Sequence, residues 1–286
     1  MSLEQVVAHF PLGPLSGTPA RVAGGLSNEM WRVSTSLGDF AIKRMVVNAH
    51  LPSFVDNVEA AFRVEQRAYA AGVPMPAPVV EPGSGRALVR VDGDLYRVHQ
   101  WVDGQAAQGS SGQAAELLAG IHAVGRPRWE TALPLGWNGE RWGAEIGHLA
   151  ERVARSPGRL LVVDSHRDLD RKNALRRADG RLLALDWDAA GPTGAAQEAV
   201  GVALDWAGGD RYAFAEAVAV YRRRSGVVID PEPWVFGGWV AGLGGWLDYN
   251  ADHRADDTVG RAEIKAARRR LREFADDLDS WVDAVR

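Results

Sequence analysis

The chain has 286 residues, with 33 basic against 37 acidic side chains (formal charge −4), 46% apolar residues and 24% charged ones. Those proportions describe a globular chain long enough to bury a large core and to divide into two lobes, and they exclude collagen-like, disordered and membrane-spanning classes. The absence of cysteine excludes disulfides, thiolate metal sites and cysteine nucleophiles, and the mildly acidic balance leaves no footprint for nucleic acid.

In chain order, the opening MSLEQVVAHFPLG lacks the basic stretch and long apolar segment of a secretory signal, and no apolar run reaches the ~18 residues that span a bilayer. A cytoplasmic protein with no membrane partner is expected. Residues 30–35 and 40–45 alternate as strands do, joined around Gly38 and Asp39 and preceded by Gly24 and Gly25. From residue 55 to 71 the period becomes helical, with Val58, Phe62 and Tyr69 on one stripe, and Gly72 with Pro74, Pro76 and Pro78 ends it. ALVRV and LYRVHQWV make a second hairpin around Asp92, Gly93 and Asp94.

After Gly104 the composition changes. GQAAQGSSGQ reads as a linker into the helix AAELLAGIHAVG, and helical segments at 141–155, 195–207, 211–225, 234–249 and 259–285 dominate. The interruption is a strand, LLVVDS, then HRDLDRKN, then a strand, RLLALDWD. The pattern is α+β, with residues 1–103 as one domain and 104–286 as the other.

HRDLDRKNALRRADGRLLALDWD places Asp168, Asn173 and Asp186 on a loop and the strand after it. Magnesium-dependent phosphoryl transfer needs such a set: one carboxylate to receive the proton of an attacking hydroxyl, and an amide oxygen with a second carboxylate to hold the ions that neutralise nucleotide phosphates. His166 is read as a hydrogen-bonding residue, because the transfer step needs no imidazole. Lys43 is one of three lysines in the chain, with Lys172 and Lys265, and sits in the alternating strand FAIKRM, as a phosphate-reaching lysine does. Of the acidic residues on the following helix, Glu65 shares the apolar side with Ala61, Phe62, Ala68 and Tyr69, while Glu59 lies with Arg63 and Gln66. A buried carboxylate demands a cation, so Glu65 is the expected partner of Lys43.

Residues 166–173 together with LDWD at 185–188 resemble the aminoglycoside phosphotransferase family, small-molecule kinases with the two-lobed protein-kinase-like fold. HAVG at 122–125 is similar to the family's helix ahead of the catalytic loop. The resemblance implies a small antiparallel-sheet lobe with one helix and a larger, mainly helical lobe. It implies ATP or GTP as donor, Mg2+, and a small-molecule hydroxyl as acceptor: an aminoglycoside- or nucleoside-like antibiotic, in a resistance role, or an amino sugar. It also implies a phosphate loop at AGGLSNEMWRV, where Ser27 and Asn28 can donate to phosphate oxygens. A hinge follows in which His99 stands at the gate and Gln100, Trp101 and Val102 meet the purine edge. The acceptor is expected among the later helices, near Asp205, Trp206, Asp248 and Tyr249, with Trp234, Trp239, Trp246 and Asp252 as further aromatic and acidic groups.

Two other readings stand beside this one. A protein kinase continues with DFG, an activation segment and APE, whereas this chain has DWD, AAGPTG and no APE. A catalytically silent nucleotide-binding scaffold would be expected to lose one of Lys43, Asp168, Asn173 or Asp186. The family's frequent aspartate soon after the DW motif is missing, Glu198 being the nearest acidic residue in that stretch. Monomer and homodimer both remain open.

Overall fold

A computed structural model describes residues 3–22, 28–106, 108–133 and 136–286. The fold is α+β, as expected, and the chain forms two compact units: Met1–Gln108 with Ser165–Gly191, and Gly109–Asp164 with Pro192–Arg286. The first unit thus runs past the expected boundary near Gly104 and takes in the catalytic-motif segment.

The first unit begins with a short helix, α1 (Leu3–Ala8), and continues through β1 (Ala20–Val22), β2 (Asn28–Thr35), β3 (Gly38–Met45), α2 (Phe54–Ala70), β4 (Pro78–Val79), β5 (Val89–Val91), β6 (Asp94–Gln100) and β7 (Gln105–Ala106). Six of these strands form an antiparallel sheet in the order β1-β2-β3-β6-β4, with β5 also on β6. Val33, Ile42, Tyr96 and Val98 of the sheet close over Val6 and Val7 of α1 with Phe10 and Leu12, which is why a helix of six residues holds its place.

The first hairpin turns at Ser36 and Leu37, two residues earlier than expected. Thr35 and Gly38 pair across it, the Leu37 N–H donates to the Thr35 hydroxyl at 3.2 Å, and Asp39 is left inside β3, where Arg32 binds it. On α2 the buried set runs Val58, Glu59, Ala61, Phe62, Val64, Glu65, Ala68. Glu59, expected on the polar side with Arg63 and Gln66, is buried because its carboxylate accepts the N–H groups of Ala87 and Leu88 at 3.2 and 3.0 Å. The set's steps of three and four drift away from Tyr69, which is 46% exposed rather than part of the stripe. Gly72, at φ +84°, ends the helix in a backbone shape that side chains resist.

The second unit starts with α3 (Ser111–Val124), opened by a capping box between Ser110 and Gln113. β8 (Arg128–Thr131), α4 (Ala144–Ala154) and β9 (Arg159–Ser165) follow. The expected helix 141–155 starts later because Gly143, at φ +109°, separates α4 from a single 3-10 turn at Glu140–Trp142. The chain then passes through β10 (Ala174–Arg176) and β11 (Leu182–Ala184), which belong to the first unit. It returns with β12 (Gly191–Gly194), α5 (Ala195–Ala207), α6 (Arg211–Ser225), α7 (Gly237–His253) and α8 (Thr258–Ala284). Asp210 caps α6 and Asp257 caps α8. Their core is aromatic: Phe214 meets Phe236 and Trp281, and Phe274 meets Phe236 and Trp239.

Strand pairing ties 165–191 to the first unit. β10 pairs with both β11 and β7, and the Ala184 N–H donates to the Pro74 carbonyl at 3.0 Å. Gly104 is needed there, since a Cβ would stand 2.7 Å from Leu175 Cγ and 2.8 Å from the Arg176 carbonyl.

Candidate active site

The motif loop is pinned by His166, which is fully buried. Its Nδ1 accepts from the Asp168 N–H at 3.3 Å, its Nε2 donates to the Leu185 carbonyl at 2.7 Å, and its ring sits edge-on to Trp187. The imidazole therefore joins the start of the loop to the end of β11, a structural task. Asp170 accepts the N–H groups of Lys172 and Asn173 through Oδ1, at 3.0 and 3.1 Å, capping the turn that presents Asn173. From there the Asn173 amide nitrogen donates to the Asp168 carbonyl at 2.9 Å and to its Oδ2 at 2.8 Å. The amide oxygen of Asn173 is the atom left with acceptor capacity.

Asp186 arrives beside this pair by register. Ala174 faces Ala184, and the Leu185 N–H donates to the Asn173 carbonyl at 2.8 Å. Asp186 then turns into the left-handed region at φ +59°, a shape that costs a non-glycine residue about 1–3 kcal/mol and recurs at functional sites. Its carboxylate is 41% exposed, with Oδ1 2.6 Å from Lys43 Nζ. Asp168, Asn173, Asp186 and Lys43 are therefore brought together.

The expected Lys43–Glu65 pair is not formed. Lys43 and Arg97 face each other directly across β3 and β6. The forked arginine sends one nitrogen to Glu65 on α2 and the other to Asp188 Oδ1, while the lysine reaches Asp188 Oδ2 at 2.5 Å and Asp186. Glu65 also receives His99 Nε2 at 2.8 Å, which directs the gate residue toward α2. Neither Arg97 nor Asp188 was expected in the site. Their signals are a charged residue inside the apolar strand LYRVHQWV, and the third residue of DWD.

The electrostatics follow from burial and charge. Burial pushes the Asp168 carboxyl up, Asp170 and Asp186 push the same way, and Lys172 and the Asn173 hydrogen bond only partly oppose them, leaving it at about 6. Burial would also raise Glu65, but Arg97 and His99 outweigh it and hold the carboxyl at about 2. Asp188 lies well below the usual carboxylate range for the same kind of reason, with Lys43 and Arg97 overcoming its burial. Lys43, which burial would lower, is raised by Asp188 and Asp186. Such a set can accept a proton at Asp168 and present a cation beside two carboxylates.

The nucleotide-edge expectations meet mixed surroundings. Ser27, with Gly24 and Gly25, lies outside the described residues. Asn28 accepts the Val46 N–H through Oδ1 at 3.0 Å, so its amide hydrogens remain as donors. In the hinge, the N–H of Gln100 donates to the Ala77 carbonyl and that of Trp101 to the Asp39 carbonyl. Those two strand-like bonds hold the hinge on the sheet and engage the N–H groups of two of the three residues expected at a purine edge.

The acceptor candidates all fall in the second unit, and most are already engaged there. Asp205 accepts Trp239 Nε1 and Arg270 Nη2, each at 3.0 Å. Trp206 is buried. Asp248 accepts Trp137 Nε1 at 2.8 Å and Trp142 Nε1 at 2.7 Å. Tyr249 is half-exposed, stacked between Trp246 and His253 at 5.8 and 4.8 Å.

A model of the phosphotransferase enzyme family, APH, matches residues 18–234, more than half of the chain, and the chain belongs to that family of small-molecule phosphotransferases. No curated protein sequence matches it. Among solved structures, it is similar to an aminoglycoside phosphotransferase from Alicyclobacillus acidocaldarius (17% identity, 97% of this chain and 95% of that one, TM-score 0.62). It is also similar to spectinomycin phosphotransferase in complex with ADP and spectinomycin (10%, 99% and 96%, TM-score 0.66). A microcompartment-associated aminopropanol kinase matches at 16% over 99% and 98%, with TM-score 0.64. At these identities the likeness establishes the two-lobed kinase-like fold. No helix among the described residues is long and apolar enough to cross a membrane.

Proposed function

We propose that this protein transfers the γ-phosphoryl group of ATP or GTP to a hydroxyl of a small molecule, with Mg2+ as the required cation. The observation that carries the reading is the meeting of Asp168, Asn173, Asp186 and Lys43 around one loop. Asp168 takes the proton as the acceptor oxygen bonds to phosphorus and the bond from phosphorus to the nucleoside diphosphate breaks. A carboxyl at about 6 is ionised near neutral pH yet basic enough to receive that proton. Asn173 keeps the carboxylate aimed, and Lys43 turns to the phosphates.

The donor set suits magnesium. No three His, Asp or Glu side chains cluster as a metal site among the described residues, and one carboxylate with one amide is what Mg2+ uses when phosphates and waters complete its octahedron. Asn173 and Asp186 would hold it, and the chemistry it supplies is neutralisation of phosphate charge.

ADP in the spectinomycin phosphotransferase structure supports nucleotide use, and the Val102 N–H is the hinge donor offered to a purine. Gln100 and Trp101 act there by holding the strand. For the acceptor, the half-exposed rings of Tyr249 and Trp246 suit an amino alcohol, amino sugar or antibiotic that carries a cation beside its hydroxyl, whereas Asp252 already pairs with Arg141 at 2.7 Å. Engagement of Asp205 and Asp248 by indole N–H groups gives those two a supporting role. A family that includes an aminopropanol kinase among its structural relatives keeps biosynthetic and resistance roles equally in view. A screen of amino alcohols, amino sugars, nucleosides and hydroxylated antibiotics with ATP or GTP and Mg2+ tests the reading by mass gain of one phosphate. Protein substrates that gain phosphate while no small molecule does would overturn it.

A further inference from the structure

The charge cluster around Asp188 contains one more cation than a phosphate-binding lysine requires. Lys43 and Arg97 stand opposite each other on β3 and β6, where two like charges repel unless a carboxylate lies between them. Asp188 fills that place, giving Oδ2 to the lysine and Oδ1 to the arginine. Arg97 is itself fixed from behind, because its other terminal nitrogen is bound to Glu65, and both of those side chains are almost wholly buried.

The two partners of Lys43 differ. Asp186 is 41% exposed, so water can take over when the lysine leaves it. Asp188 is only 20% exposed, and a carboxylate in that position left without a cation carries a heavy desolvation penalty. If Lys43 is to turn toward a nucleotide phosphate, something else must hold Asp188. We infer that Arg97 is a positioning residue that remains on Asp188 while Lys43 changes partner, so that the lysine can move to a phosphate without stranding a buried carboxylate. This rests on the phosphotransferase reading for its purpose and on the geometry of β3, β6, α2 and the 186–188 turn for its parts. Glu65, which a lysine-holding role would have placed on Lys43, instead keeps the arginine from following the lysine toward the phosphates.

The test is a four-member set, wild type, Arg97→Met, Asp188→Asn and the double variant, titrated with Mg·ADP by calorimetry. Arg97→Met is expected to weaken binding about a hundredfold, the scale of an uncompensated buried charge. Asp188→Asn removes that charge, so the double variant is expected to recover to within about threefold of Asp188→Asn alone, a non-additivity that reports direct coupling. A double variant that binds as weakly as Arg97→Met, or an Arg97→Met protein that binds like wild type, overturns the inference.

Thermal unfolding without nucleotide gives a second, independent reading. Asp188→Asn should lower the midpoint in a Lys43→Met background, where Arg97 alone holds the carboxylate, and raise it in the Lys43→Met, Arg97→Met background, where the loss of Glu65's partner is common to both proteins and cancels. Lowering in both backgrounds would also overturn the inference. Absence of any heat with the wild type would deny the nucleotide reading, while the sign reversal in unfolding still decides the role of Arg97.

Discussion

The carboxylates of the two units are held in contrasting ways. In the first unit Asp186 and Asp188 share one ammonium, and Asp168 is aimed by a neutral amide. In the second, Asp248 is clamped between the indole N–H groups of Trp137 and Trp142, and Asp205 between Trp239 and Arg270. An indole nitrogen is a donor only, fixed by the packing of its own ring, whereas a lysine head can swing to a new anion. On the proposed reading the difference marks where chemistry can occur: Asp186, whose lysine can leave it, can serve a passing substrate, whereas Asp248, held by two packed indoles, serves the fold.

The contrast is broken most directly at Asp168. Asp168→Asn should lower the transfer rate by about 10²–10⁴-fold, the usual worth of a positioned base, while Mg·ADP binding stays within about threefold by calorimetry. Because the folded carboxyl sits at about 6 and must be ionised to act, wild-type kcat/KM should fall as pH drops through that value. Equal losses of binding and turnover would mean that Asp168 holds the fold and takes no proton.

Asp248→Ala belongs to the other side of the comparison. It leaves two indole donors without their acceptor, so unfolding should become easier by about 1–3 kcal/mol, read by denaturant titration of tryptophan fluorescence. Nucleotide affinity should not move. A change in affinity with unchanged stability would erase the distinction between the two sets of carboxylates.

Glu65 supplies a pH test of the first unit's rigid part. Its folded value is about 2, below the 4.5 of a free glutamate, so the stabilisation is complete above the unfolded value and disappears as pH falls toward 2. Glu65→Gln should therefore flatten the loss of stability between about pH 4.5 and 2, measured by unfolding midpoints across that window. The smallest effect is expected at Asn28, where Asn28→Ala removes one neutral hydrogen bond to Val46, worth about 0.5–1.5 kcal/mol. It should raise the nucleotide KM only slightly.

Much of the site could be read from the sequence because short-range spacing sets it. Asp168 and Asn173 belong to one loop that Asp170 caps, and Asp186 follows from the pairing of two strands separated by a tight turn. Lys43 was legible as a rare lysine in an alternating strand. The partner of Glu65 was not, since burial of Glu65 announces the need for a cation without saying which one. Register decides that: Lys43 opposite Arg97 is a fact of β3 meeting β6, and the strands are separated by more than forty residues of chain. Likewise α1 and β1 show no periodicity of their own, and their places come from packing and pairing against the sheet. Asp205, Asp248 and Trp239 read in the sequence as groups for a ligand, but Trp239 donates to Asp205, and Trp137 and Trp142, far from Asp248 in sequence, donate to Asp248.

The central claim is that Lys43, Asp168, Asn173 and Asp186 form one site for a nucleoside triphosphate with its cation. Calorimetric titration of ATP and GTP, with Mg2+ and again with chelator, measures it directly, using the wild type and Asp186→Asn. The expected result is one binding event per chain with at least one of the two nucleotides, weakened at least tenfold by chelator or by the substitution. Heat that persists unchanged in Asp186→Asn, or no heat from either nucleotide, would contradict the claim.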